Sequence, residues 1–154
     1  MVYFIILFQI FSSANLDFLP RAQASLGDDS STVEADRRVL RGTRVAVVTH
    51  AKFAVHEIRS GGMSLKEYAA SNGKIFAVTW TGTHQPDLSS IFGTYFEDFS
   101  QANQAAVKVK GVRSHARIEG KKVTVERFGH MGSIRGKAFV QSLLPQGVSL
   151  DEIK

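Results

Sequence analysis

Hydrophobic and polar positions change their spacing several times along this chain, and each change predicts an element. The first stretch, Val2 to Phe11, is apolar except at Gln9 and is about half as long as the roughly 20 residues needed to cross hydrocarbon. From Ser25 to Ser31 the residues are small and polar, as expected of a mobile segment. Thr32 to Leu40 reads as a short helix with Thr32 as N-cap, ended by Gly42, and Val45 to His50 as a β-branched strand. Between Phe53 and Trp80 the period falls to two. Gly61-Gly62 and Asn72-Gly73 supply turn residues that tolerate positive φ, so the segment predicts a three-stranded antiparallel meander. Two-residue turns there set Ser60 against Met63, Ile58 against Leu65 and His56 against Glu67. They also set Ser71 against Lys74 and Ala69 against Phe76. One face then collects Ala54, His56, Ile58, Leu65, Glu67, Ala69, Phe76, Val78 and Trp80.

After Pro86 the period lengthens. Asp87 is a natural N-cap, and Leu88, Ile91, Phe92, Tyr95, Phe96 and Phe99 follow three and four apart. Such an aromatic stripe requires a broad apolar surface, which the meander supplies. Its polar face carries Glu97 and Asp98 rather than the Lys and Arg of an interfacial membrane helix. Beyond Ala106 the pattern returns to strands at Val107–Val112, Ala116–Ile118, Val123–Phe128 and Ile134–Val140, separated by glycine-bearing turns. Leu143-Leu144-Pro145 closes the run, and Ser149 with Glu152 forms a capping-box pattern. The prediction is an α+β domain: an antiparallel β-meander or sheet with one long amphipathic helix packed on one face.

The opening segment bears on location. Its apolar run, a helix breaker at Pro20 and the triplet Ala22-Gln23-Ala24 have the order of a secretory signal peptide, with cleavage expected after Ala24. No basic residue precedes the run, which a start codon placed too far downstream explains. Residues 25–154 then form a single domain of 130 residues, large enough for a real core. The expected location is periplasmic or secreted, with no transmembrane span in the mature chain. The absence of cysteine excludes disulfide stapling, thiol catalysis and Cys-based metal sites.

Four stretches carry a family resemblance. They are Val55-His56-Glu57-Ile58-Arg59, Gly73-Lys74-Ile75-Phe76-Ala77-Val78-Thr79-Trp80, Pro86-Asp87-Leu88 through Gly93-Thr94-Tyr95-Phe96, and Gly129-His130-Met131-Gly132 with Leu144-Pro145-Gln146-Gly147-Val148. In this order they resemble a bacterial family of exported proteins known as domain of unknown function 2844. The resemblance runs from about Ser25 to the end of the sequence. It implies export and a shared fold, and it implies no activity. The Lys-rich stretch from Lys108 to Lys122 departs from the family pattern.

That stretch opens the main charge feature. Between Lys108 and Lys137 nine Lys or Arg stand against Glu119 and Glu126, a local charge of +7. Lys108, Lys110, Arg113, Arg117, Lys121 and Lys122 are candidate binding residues for an anionic envelope surface or another exported protein, against the alternative of a merely solvated strand surface. Nucleic acid is not an expected partner in that compartment. For catalysis the candidates are His56 and Glu67, because a carboxylate facing an imidazole suits general-base chemistry. The competing reading is a cross-strand pair at the core margin. His130 and Met131 are the candidate metal ligands, since imidazole and thioether suit copper, but no further ligand stands at a binding spacing. No cofactor is implied, as no phosphate-binding glycine loop or G-x-S-x-G elbow occurs. The expected function is a non-catalytic exported binding or structural module. The alternative is a hydrolase-like enzyme using His56 and Glu67.

Overall fold

The computed structural model describes residues 26–39, 41–110 and 115–154. Residues 1–25, which carry the export reading, lie outside that description, as does Arg113. Among the described residues seven antiparallel strands form one sheet: β1 (Thr43–Thr49), β2 (Phe53–Ser60), β3 (Met63–Ala70), β4 (Ile75–Gly82), β5 (His115–Glu119), β6 (Val123–His130) and β7 (Ser133–Val140). Their order across the sheet is β1-β2-β3-β4-β7-β6-β5. The chain meanders through four strands and crosses to the far edge. It then meanders back, so that β7 closes against β4. The crossing segment carries the helices α2 (Leu88–Phe92) and α3 (Phe96–Lys110), preceded near the N-terminus by α1 (Val33–Val39). The α+β architecture expected from periodicity is present, with the helical segment on one sheet face.

The expected register holds in the first hairpin, where Ser60 pairs Met63, Ile58 pairs Leu65 and His56 pairs Glu67. Gly61 and Gly62 have φ of 52° and 81°, the two positive values that a tight two-residue turn demands. The second hairpin differs. Ser71, Asn72 and Gly73 make a three-residue turn, with Ala70 N–H donating to the Lys74 carbonyl at 2.8 Å and Gly73 at φ 82°. A bulge follows, so Ala69 faces Ile75 rather than Phe76, and Ser71 does not pair with Lys74. Phe76 is therefore turned away from the helices. It joins Phe53, Tyr68, Ala77 and Phe139 in a second core on the opposite face, covered by Val148 and Ile153 of the C-terminal strap.

The helix-side core centres on Trp80, Phe92 and Phe99. Phe92 lies 6.1 Å from the Trp80 ring and meets Phe99 edge-on at 5.3 Å. Each such ring, fully buried, contributes about 1.5–3 kcal/mol. Asp87 caps α2 as expected, accepting from Ser89 N–H at 3.0 Å. The long helix is not continuous, however. Gly93 adopts φ 42° and a 3₁₀ turn over Gly93–Tyr95 re-aims the chain into α3.

Three further expectations are corrected. Residues 26–30 are not mobile, because Leu26 is buried and Gly27 N–H donates to the Ile75 carbonyl at 2.8 Å. Asp29, not Thr32, caps the first turn, accepting from Ser31 N–H at 3.0 Å. Finally, Val107 to Lys110 continue α3 instead of opening a strand. Their alternating Val and Lys mimic a strand, but extending an existing helix adds a bond per residue without new nucleation.

Candidate functional site

Antiparallel pairing lines residues into rows across the whole sheet. One row on the helix side reads Val47, His56, Glu67, Val78, Ala138, Val125 and Ile118. The two candidate catalytic residues are therefore direct neighbours within an apolar line. Glu67 is 0 % exposed, whereas His56 is half-buried nearer the sheet edge. The Arg44 guanidinium donates to His56 Nδ1 at 2.5 Å, so the ring carries its proton on Nε2. Burial, and then the charge of Arg44, push the His56 pKa below its ordinary value. That imidazole is held neutral at pH 7. It sits between an arginine and a deeply buried carboxylate, in surroundings that do not admit a substrate to Glu67 without opening the core.

The opposite face is more open. Its central row reads Ala46, Glu57, Lys66, Thr79, Lys137, Glu126 and Arg117. Several of these charges neutralise one another. Arg117 bridges Glu119 at 2.7 Å and also Glu126, which Lys137 approaches at 3.4 Å. Lys137 further donates to the Leu150 carbonyl at 3.3 Å. The adjoining row runs His115, Phe128, Arg135, Thr81, Ser64 and Arg59. Phe128 is 37 % exposed and stacks on His115 at 4.4 Å. Arg135 beside it is exposed and has no hydrogen bond or ion pair among the described residues. Thr79, Thr81, Phe128, Arg135, Lys137 and the strap residues Ile153 and Lys154 line a groove of about 400 Å³.

Of the six candidate binding cations, Arg113 lies outside the described residues. Lys108 and Lys110 lie in the last turn of α3. Lys121 and Lys122 sit exposed in the β5–β6 turn at the other end of that hairpin, and Arg117 is already bridged. Arg135 was not among the sequence candidates, although it pairs with Phe128, which alternation from buried Val123 and Val125 puts on the opposite face with Glu126.

The β5–β6 turn is fixed by α3. Asp98 accepts the N–H groups of Lys121, Lys122 and Val123 at 2.9, 2.7 and 3.1 Å. Burial alone would raise the Asp98 pKa, but these three donors outweigh it and hold the carboxyl below its ordinary value. The metal candidates stand at the opposite hairpin end. His130 closes β6, donating from Nδ1 to the Met131 carbonyl at 3.1 Å, while the Met131 side chain is 97 % exposed. Among the described residues no group of three or more His, Asp or Glu converges on a metal-sized site.

The sequence agrees with a known family model over nearly all of the described region. The model, described as Protein of unknown function (DUF2844), matches residues 22–153. The chain belongs to this family. No curated protein and no solved structure matches it. The family description carries no activity, so the two sheet faces must be judged by their chemistry. No helix among the described residues is long and apolar enough to cross a membrane.

Proposed function

We propose that this member of the family is an exported, non-catalytic binding module of the periplasm or secreted material, which takes an anionic envelope surface or another exported protein on its open β5–β6–β7 face. The observation that carries the reading is Arg135. It is an exposed cation without a partner among the described residues, set beside the half-exposed Phe128–His115 stack in a groove. An aromatic surface next to an unneutralised guanidinium suits a ligand with an anionic group on a flat or apolar body. Lys121 and Lys122, roughly 17 Å away along the hairpin, extend the positive field. Export rests on the apolar run Val2–Phe11 and the triplet Ala22-Gln23-Ala24.

The enzyme reading is weaker, since the carboxylate it needs is at 0 % exposure. The deciding experiment is binding of the purified protein to anionic and neutral vesicles and envelope polymers across a salt series. Affinity for the anionic set is expected to fall steeply with salt and to drop in Arg135→Glu. Binding indifferent to salt and to that substitution would overturn the proposal.

A further inference from the structure

β1 is an edge strand whose chemistry is unlike that of the other edge. Val45, Val47 and Val48 are 47, 49 and 50 % exposed, so apolar side chains stand in solvent on both sheet faces. The outer backbone groups of an edge strand seek a partner strand, and proteins ordinarily guard such edges with charge. The far edge follows that rule, since β5 carries the Arg117–Glu119 and Arg117–Glu126 ion pairs. On β1 the single charged residue is Arg44, near one end.

We infer that β1 pairs antiparallel with β1 of a second copy of this chain, about a two-fold axis at Val47. The faces are compatible with that register. Val47 lies opposite His56 on the helix side, while Ala46 and Val48 lie opposite Glu57 and Val55 on the strap side. Centring the pair on Val47 sets Val47 against Val47 of the second copy on one face. On the other face it sets Ala46 against Val48, and Val48 against Ala46. A centre at Ala46 would instead oppose Arg44 to Val48, residues that the bulge between Arg44 and Ala46 has put on opposite faces. In the Val47 register the two Arg44 side chains stand six positions apart, roughly 20 Å, so like charges do not meet within the screening length of about 8 Å. Pairing of β1 with β5 of another copy would be heterologous and open-ended, whereas β1 with β1 closes as a dimer. One strand pair buries less than a standard interface, so the dimer is expected to be concentration-dependent.

The test is sedimentation equilibrium of the purified protein from low to high micromolar concentration. The wild type is expected to pass from monomer to dimer. Val47→Lys, which places two ammonium groups at the axis, is expected to remain monomeric, with the melting temperature that the wild type shows at concentrations where it too is monomeric. Because the chain has no cysteine, Val47→Cys supplies a single thiol. Facing Cα atoms about 4.5–5.5 Å apart fall within disulfide range, so this variant is expected to form a covalent dimer on oxidation. Val45→Cys, four positions from its counterpart, is not. A wild type that stays monomeric throughout, as it would if the edge served a foreign strand, overturns the inference. So does undiminished dimerisation of Val47→Lys, or cross-linking of Val45→Cys as readily as Val47→Cys.

Discussion

Replacing Asp98 with Ala removes the carboxylate that ties α3 to the β5–β6 turn and leaves three backbone N–H groups without their acceptor. A hydrogen bond to a charged acceptor contributes about 1.5–3 kcal/mol. Asp98 is half-exposed and water can re-solvate part of the turn, so the three together are expected to contribute about 2–3 kcal/mol rather than their sum. For a domain of this size that corresponds to a melting temperature lower by roughly 6–15 °C. Urea unfolding at pH 7 measures the loss directly. The pH dependence supplies a second check with a definite sign. The folded pKa of Asp98 is depressed, so its contribution is present above the unfolded value near 3.9 and is lost as pH falls through the folded value. Wild-type and Asp98→Ala stabilities should therefore converge in acid. A difference below about 0.5 kcal/mol at pH 7, within the range of ordinary surface changes, would refute the tether.

Four other outcomes follow from neighbouring geometry. A Cβ on Gly120 would stand 2.3 Å from Asp98 Oδ2, so Gly120→Ala should destabilise the wild type but have much less effect in Asp98→Ala; additive losses in the double-mutant cycle would contradict this. A Cβ on Gly136 would stand 2.1 Å from the Trp80 ring, and Gly136→Ala is expected to cost about 1–3 kcal/mol and to shift the emission of this single tryptophan; an unchanged spectrum would show that the ring does not lie there. His56 is harder to protonate folded than unfolded, so stability should decline as pH falls below about 6.5, and His56→Gln should flatten that slope in urea titrations at successive pH values. His56→Ala should lower the melting temperature while leaving vesicle or polymer binding intact; loss of binding with an unchanged melting temperature would instead favour the site reading.

How much of this was legible depended on whether a residue's partner lay nearby in sequence. The pairing of His56 with Glu67 could be read because Gly61-Gly62 admits one tight turn and alternation does the rest. The second hairpin could not. Ile75, Phe76, Ala77 and Val78 are all buried, so no alternation marks the bulge that turns Phe76 over. The strap over the second core was hidden for a related reason. Val148 and Ile153 are isolated apolar residues in a polar segment, and they acquire meaning only once Phe53, Tyr68 and Phe139 are seen to need a cover. Charge was misleading in a different way. The segment Lys108 to Lys137 is basic in sum, but pairing sets Arg117 and Lys137 against both of its carboxylates, Glu119 and Glu126, so the net charge rests on its other cations, of which Arg135 stands exposed on the strap side of the sheet.

The contrast between the two faces also weighs the competing functions. Catalysis needs a group that reaches substrate and a pKa matched to its task. Glu67 is enclosed beneath the helix-side core, and the neighbouring imidazole already has its Nδ1 engaged by Arg44. Reaching that carboxylate would require opening the apolar cluster on the helix side of the sheet, in which its neighbours Leu65, Ala69 and Val78 are buried. Binding on the other face requires no such opening. Arg135 and Phe128 already stand in solvent, on strands held in register by β4 and by the Asp98 tether. Rigid support beneath an exposed cation and aromatic ring is what a recognition surface needs, since little conformational freedom is left to lose on binding.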